Sequence, residues 1–201
     1  MVRRIFTEKR DGFNIEAKGI MSDIVGTLGI NGIKELRIFK RYDIEGIDDS
    51  DFEYAKKTIF SEPNVDIVYE SSLPTLDGYR VFTYDYLPGQ YDQRADSAAQ
   101  CVEIVTMSAR PDVQSATTIA IKGGISDAEF DKIIKYMINP VEARIASEEI
   151  PKTLKANLGM PNIPEAVSGF TKMSDAEIKE YHSANGFAMT ADDLVFCRDY
   201  F

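Results

Sequence analysis

The sequence has no tryptophan, a single histidine (His182) and only two cysteines (Cys101 and Cys197). A zinc centre needs more soft ligands than this, and neither cysteine has a CxxC neighbour. A Cys101 nucleophile would need a nearby base, yet His182 lies far along the chain. The setting Ala98-Ala99-Gln100-Cys101-Val102 predicts a buried, structural thiol. No apolar run approaches the roughly 18 residues of a membrane span, and no signal-like stretch follows Met1. Neither GxGxxG nor GxxxxGK[ST] occurs, and Lys122-Gly123-Gly124 reads as a strand-ending turn. Basic charge is also scarce. With 23 Lys and Arg against 33 Asp and Glu, the net charge of −10 disfavours phosphate backbones and anionic membranes. A reduced, cytoplasmic, metal-free protein is the expectation.

What is present is enough for a core: 44% of the 201 residues are hydrophobic. Val2 to Glu8 reads as a strand, and the N-terminal basic residues Arg3, Arg4, Lys9 and Arg10 read as a solvated strand edge. Phe13, Ala17, Ile20, Met21, Ile24 and Leu28 follow at helical spacing and stop at Gly29. Leu36 to Ile44 alternates as a strand, a helix spans about Ser50 to Ile59, and Val65 to Tyr69 is a weaker strand. The order then restarts. Tyr79 to Tyr86 is a strand with Tyr79, Tyr84 and Tyr86 expected to pack on helices. A helix begins near Asp92, Thr117 to Lys122 is a strand, and the capping box Ser126-Asp-Ala-Glu129 opens another helix.

Two local matches suggest a repeat. Asp49 to Phe60 aligns with Asp127 to Ile138 at an offset of 78, and Ile5-Phe6-Thr7 with Val81-Phe82-Thr83 at an offset of 76. The fold expected is α+β: a pseudo-duplicated strand–helix–strand–helix domain, its antiparallel sheet packed with helices. It would span 1–145, with repeats over about 1–72 and 78–145. Residues 146–168, with Pro151, Pro161 and Pro164, read as an extended connector. Residues 169–201 read as a short helical domain, truncated, with the capping box Ser174-Asp-Ala-Glu177 and a last helix opened by Thr190 and Asp193. That helix ends on Arg198-Asp199-Tyr200-Phe201, which suggests the front of a longer protein.

The candidate site is the loop Leu87-Pro-Gly-Gln-Tyr-Asp-Gln-Arg94. Pro-Gly marks a turn, and Gln90, Asp92, Gln93 and Arg94 could each hold a polar partner. Read plainly, Asp92 caps a helix and the charges are solvated. Read functionally, the loop faces a ligand or a neighbouring domain. No catalytic, cofactor or metal residue is expected in the segment.

Taken together, Val2-Arg-Arg-Ile-Phe, Leu36-Arg-Ile with Arg41-Tyr-Asp43, Leu87-Pro-Gly-Gln-Tyr-Asp-Gln-Arg-Ala95, Ile138-Asn-Pro-Val-Glu-Ala-Arg144, Gly186-Phe-Ala-Met189 with Asp193-Leu, and Asp199-Tyr-Phe201 carry a likeness. The chain resembles the N-terminal region of the large, single-chain phosphoribosylformylglycinamidine synthase (FGAM synthase). That family is an ATP- and glutamine-dependent ligase of purine biosynthesis, converting formylglycinamide ribonucleotide to the amidine with magnesium assisting. The resemblance implies a fused accessory-subunit-like pair followed by a helical linker domain. The partners would be the synthase and glutaminase domains of the same chain. The family's ATP and magnesium ligands and its glutaminase Cys and His would all lie downstream, so the segment would be an inter-domain coupling module, inactive alone. The alternative is a stand-alone ferredoxin-like regulatory module binding a small effector.

Overall fold

The computed structural model describes residues 1–155 and 166–201 and divides into two compact units, Met1–Ala156 and Asn157–Phe201. The first is α+β. Its order is β1 (Arg3–Lys9), α1 (Ile15–Leu28), β2 (Ile33–Glu45), α2 (Asp49–Thr58), β3 (Asp66–Glu70), β4 (Tyr79–Tyr86), α3 (Gln93–Thr106), β5 (Asp112–Gly123), α4 (Asp127–Met137) and β6 (Ala143–Ile145). The six strands form one sheet in the order β3-β1-β2-β5-β4-β6, and every pairing is antiparallel.

The alternation of β2 sets the layers. Leu36, Ile38, Tyr42 and Ile44 share the face that carries α1 to α4. Ala17 and Ile24 of α1 and Phe130 and Ile133 of α4 bury against Leu36, Ile38, Phe82, Ile119 and Ile121. Phe52 and Ala55 of α2 and Ala98 and Val102 of α3 bury against Ile5, Tyr42 and Ile44. Each core therefore mixes a helix from before residue 72 with one from after it, which locks the two halves into one unit.

Strand order is symmetric about the β2–β5 pair, and the pairing makes the correspondence numerical. Ile5↔Tyr42 and Phe82↔Ile119 hold symmetric places in that order, their numbers 77 apart (82 − 5 and 119 − 42). Both pairs lie on the helix face. The offset of 76 expected for Ile5-Phe6-Thr7 is therefore out of phase: it sets inward Ile5 against Val81, which belongs to the opposite face. In the helices the offset is 78, since α1 begins at Ile15 and α3 at Gln93, and Phe52 and Ala55 correspond to Phe130 and Ile133. The extra residue lies in the loop before α3, six residues (87–92) against five (10–14) before α1.

The second face carries no helix. Leu73 and Leu76 lie over Phe6, Phe39, Tyr79, Val81 and Ala120. Residues 146–154, read as connector, instead cover Arg4, Arg41 and Asp43, all buried. Arg4 is thus no solvated edge residue, and β1 is an inner strand. Its guanidinium donates to both Asp43 oxygens at 2.6 and 2.8 Å, and to the carbonyls of Glu148 and Glu149. Arg41 donates to the Ser147 carbonyl at 2.8 Å. Burial holds the Arg41 pKa below its ordinary value, against the pull of Asp43. Tyr79 also packs on this face rather than on helices, and Tyr86 is exposed. Where β2 begins and β5 ends, the backbones touch: a Cβ on Gly123 would sit 2.2 Å from the Gly32 carbonyl oxygen.

The second unit holds α5 (Asp175–Asn185) and α6 (Ala191–Tyr200), each opened by a complete capping box, Ser174/Glu177 and Thr190/Asp193. Ile178 and Leu194 form its small core, and Arg198 ties α6 back to the Met173 carbonyl and Asp175. His182 is half-buried, and its Nε2 lies 2.6 Å from the Met189 carbonyl oxygen. Residues 156–165, part of the expected connector with Pro161 and Pro164, lie outside the described residues.

Candidate functional site

The loop Leu87–Asp92 leaves β4 through a turn closed by Gln90 N–H donating to the Leu87 carbonyl at 3.0 Å. Gly89 sits at φ +91°, a conformation that only glycine takes without strain. Two motifs that are 50 residues apart in sequence meet here. The Leu87 amide donates to the Glu142 carbonyl at 2.8 Å, and the Gln90 side-chain amide to the Val141 carbonyl at 3.2 Å. The segment Asn139–Arg144 is thus a wall of the loop, through β6, a three-residue strand the hydrophobic pattern did not signal.

The four candidate side chains have different environments. Asp92 caps α3 through the Ala95 amide at 2.9 Å, and its other oxygen accepts from the Ser115 amide at 2.8 Å, tying the loop to β5. It also accepts from the Ser115 hydroxyl at 2.9 Å. That is the plain structural role, and one stronger than a cap alone. Gln90 and Gln93 are exposed. Arg94 donates to the Tyr42 hydroxyl at 3.3 Å, and no carboxylate pairs with it among the described residues. Nearby, Lys40 on β2 pairs with Glu16 of α1 at 2.7 Å.

Lys40 and Arg94 stand between two clefts on the helix face. The larger, about 750 Å³, lies between the start of α1 and the end of α2. The smaller, about 280 Å³, lies between the start of α3 and the end of α4. They are counterparts: Thr7, Ile38 and Ile59 line the first, while Tyr84, Ser115 and Met137 at the corresponding positions line the second. Sequence reading missed both, because the lining of each is drawn from several segments that are distant in sequence.

The clefts differ at the helix entrance. Asn14, the counterpart of Asp92, makes no side-chain cap bond, and its Oδ1 is buried without a hydrogen-bond partner among the described residues. The counterpart of Ser115 is Ile38, which offers no hydroxyl. Cys101, expected to be buried, is exposed on α3, because the inward stripe Ala95, Ala98, Ala99, Val102 passes it by. Among the described residues no group of His, Cys, Asp and Glu is placed to hold a metal, and no helix is long and apolar enough to cross a membrane. A scan of family models and a search of curated proteins each return no match to the chain.

Proposed function

We propose that the chain is the accessory-like front part of an FGAM synthase, the cytoplasmic ATP- and glutamine-dependent ligase that its motifs resemble, and that it couples neighbouring domains rather than performing chemistry. The observation that carries this reading is the two-half arrangement of the sheet, with matched registers and helices exchanged between the halves. A duplicated unit, equivalent to a fused pair of small subunits, accounts for that arrangement simply. Residues 169–201 then begin the helical linker domain. ATP, magnesium, formylglycinamide ribonucleotide and glutamine would be held by the synthase and glutaminase domains downstream.

Within this reading the loop around Gln90, Asp92, Gln93 and Arg94 meets a neighbouring domain. Asp92 fixes the backbone, leaving Gln90, Gln93 and Arg94 to make the contact. The test uses the full-length ligase and the 201-residue chain in parallel. The isolated chain releases no glutamate from glutamine. In the full-length enzyme Arg94→Ala lowers glutamine-dependent turnover while the ammonia-dependent reaction is less affected. Glutamate release by the isolated chain would overturn the non-catalytic reading, and unchanged kinetics with both nitrogen donors would remove the role of the loop.

A second reading, a ferredoxin-like effector-binding module, is favoured by one observation: the larger cleft is of a size that small-molecule sites commonly have.

A further inference from the structure

The larger cleft differs from its counterpart in more than volume. Six basic and six acidic side chains line it, so a chain of net charge −10 presents a locally balanced surface there. Half of these charges satisfy one another: Lys9 with Asp66, Lys40 with Glu16 and Arg37 with Glu8. Among the described residues Arg10, Lys57 and Arg94 have no carboxylate partner, and Asp11, Glu35 and Glu62 have no basic one. Unspent charge of both signs facing one cleft favours a ligand that carries both.

Two side chains give that preference a direction. Arg94 has only a neutral phenol as partner, and its planar fork suits a carboxylate taken through two parallel hydrogen bonds. Asn14 is released from capping, and its Oδ1 lacks a partner where Asp92 in the other half has three. Rotation about the Cβ–Cγ bond exchanges the two ends of its amide, so Asn14 can turn its carbonyl towards a donor in the cleft. The smaller cleft, which Arg94 also lines, lacks the second option, because Ser115 holds Asp92 in place.

We propose that the cleft between the start of α1 and the end of α2 binds a free amino acid as its zwitterion. Arg94 takes the carboxylate, and Asn14 takes the ammonium or an amide donor. A dianion such as a phosphate monoester is disfavoured by the three unpaired carboxylates beside it. The proposal rests on this cleft and holds whether or not the chain belongs to the ligase.

The test is a heteronuclear NMR titration of the 201-residue chain. The twenty common L-amino acids are added one at a time, with sodium acetate, ammonium chloride and inorganic phosphate as single-sign controls. At least one amino acid is expected to give saturable shifts centred on Asn14, Lys40 and Arg94, and none of the controls does. Arg94→Ala weakens that binding about tenfold, with Arg94→Lys intermediate. Glu142→Gln, at the smaller cleft, leaves it unchanged. Amide dispersion verifies that each variant is folded. The proposal falls if no amino acid saturates, if the shifts centre elsewhere, if phosphate saturates alone, or if binding survives Arg94→Ala intact.

Discussion

The face of the sheet without helices is covered twice, by chemically opposite means. The segment after β3 lays Leu73 and Leu76 on an apolar floor that includes Val81 and Ala120. The segment after β6 lays backbone carbonyls of Ser147, Glu148 and Glu149 on Arg4 and Arg41, with Asp43 between them. The floors occupy corresponding positions: Arg4, Arg41 and Asp43 match Val81, Thr118 and Ala120 at the offset of 77. An apolar floor needs only side chains to close it, so a loop of any local conformation serves. A charged floor needs acceptors for its guanidinium N–H groups, and the carbonyls of residues 147–149 supply them together with Asp43. This segment is further pinned where Glu45 accepts from the Leu154 amide at 2.7 Å and the Thr153 hydroxyl at 2.8 Å.

The largest way to break this contrast is Asp43→Ala. It leaves two buried guanidinium groups without their counter-ion, and the expected loss is about 3–5 kcal/mol, measured by urea unfolding. The sharper experiment copies one half onto the other. The triple variant Arg4→Val, Arg41→Thr, Asp43→Ala installs the residues found at Val81, Thr118 and Ala120. It removes the three buried charges of this floor together and recovers most of that loss. A triple variant no more stable than Asp43→Ala would show that the two floors are not interchangeable.

On the apolar side Leu76→Ala removes a partly buried side chain and costs about 2 kcal/mol. Because it strands no polar group, its effect stays well below that of Asp43→Ala in the same assay. Equal losses would mean that both coverings close mainly by apolar burial.

Much of this architecture could be read from residue pattern. Alternation in β2 separated Leu36, Ile38, Tyr42 and Ile44 from Arg37, Arg41 and Asp43, and Gly29, Ser126, Ser174 and Thr190 marked helix ends correctly. What alternation could not reveal is that the polar side of β2 is buried. A charged stripe reads as solvated unless the covering segment, here more than 100 residues later in sequence, is known. The same limit hid β6, three residues held by pairing to Tyr84, Asp85 and Tyr86 rather than by an apolar pattern of its own. It also hid the clefts. The motif around Asp92 signalled a cap or a contact loop; that its oxygens reach across to Ser115 depends on register and is not local. Cys101 shows the converse error: small neighbours suggested burial, but the inward stripe of α3 runs one position aside.

The starts of α1 and α3 offer a more local comparison. Asp92→Ala removes the cap of α3 and its hold on Ser115, and is expected to cost about 1–2 kcal/mol. Asn14→Ala removes no hydrogen bond of its side chain and is expected to change stability by less than about 0.5 kcal/mol, or to raise it slightly by deleting an unpartnered buried oxygen. Thermal unfolding of the pair decides this. Equal costs would show that the two helix entrances are held alike.

The smallest effect separates α2 from α4 by pH. Asp48 caps α2 alone, accepting from the Asp51 amide, whereas α4 has the reciprocal Ser126/Glu129 box. Glu129 accepts from the Ser126 amide and hydroxyl, and these bonds hold its carboxyl below the ordinary glutamate range. A lowered folded value means that the stabilisation is complete above the unfolded value, near 4.5, and is lost as pH falls through the lower folded one. Glu129→Gln keeps a side chain able to accept from Ser126 but cannot titrate. Its unfolding midpoint should therefore lie closest to that of the parent in acid and diverge as pH rises past that window. Asp48→Ser, which gives α2 the cap residue of α4, removes the contribution of another lowered carboxyl, held down by the Asp51 amide and Ser50. Its pH profile should flatten over the aspartate range instead, and the double variant should show both changes independently, because the two carboxyls act at the starts of different helices.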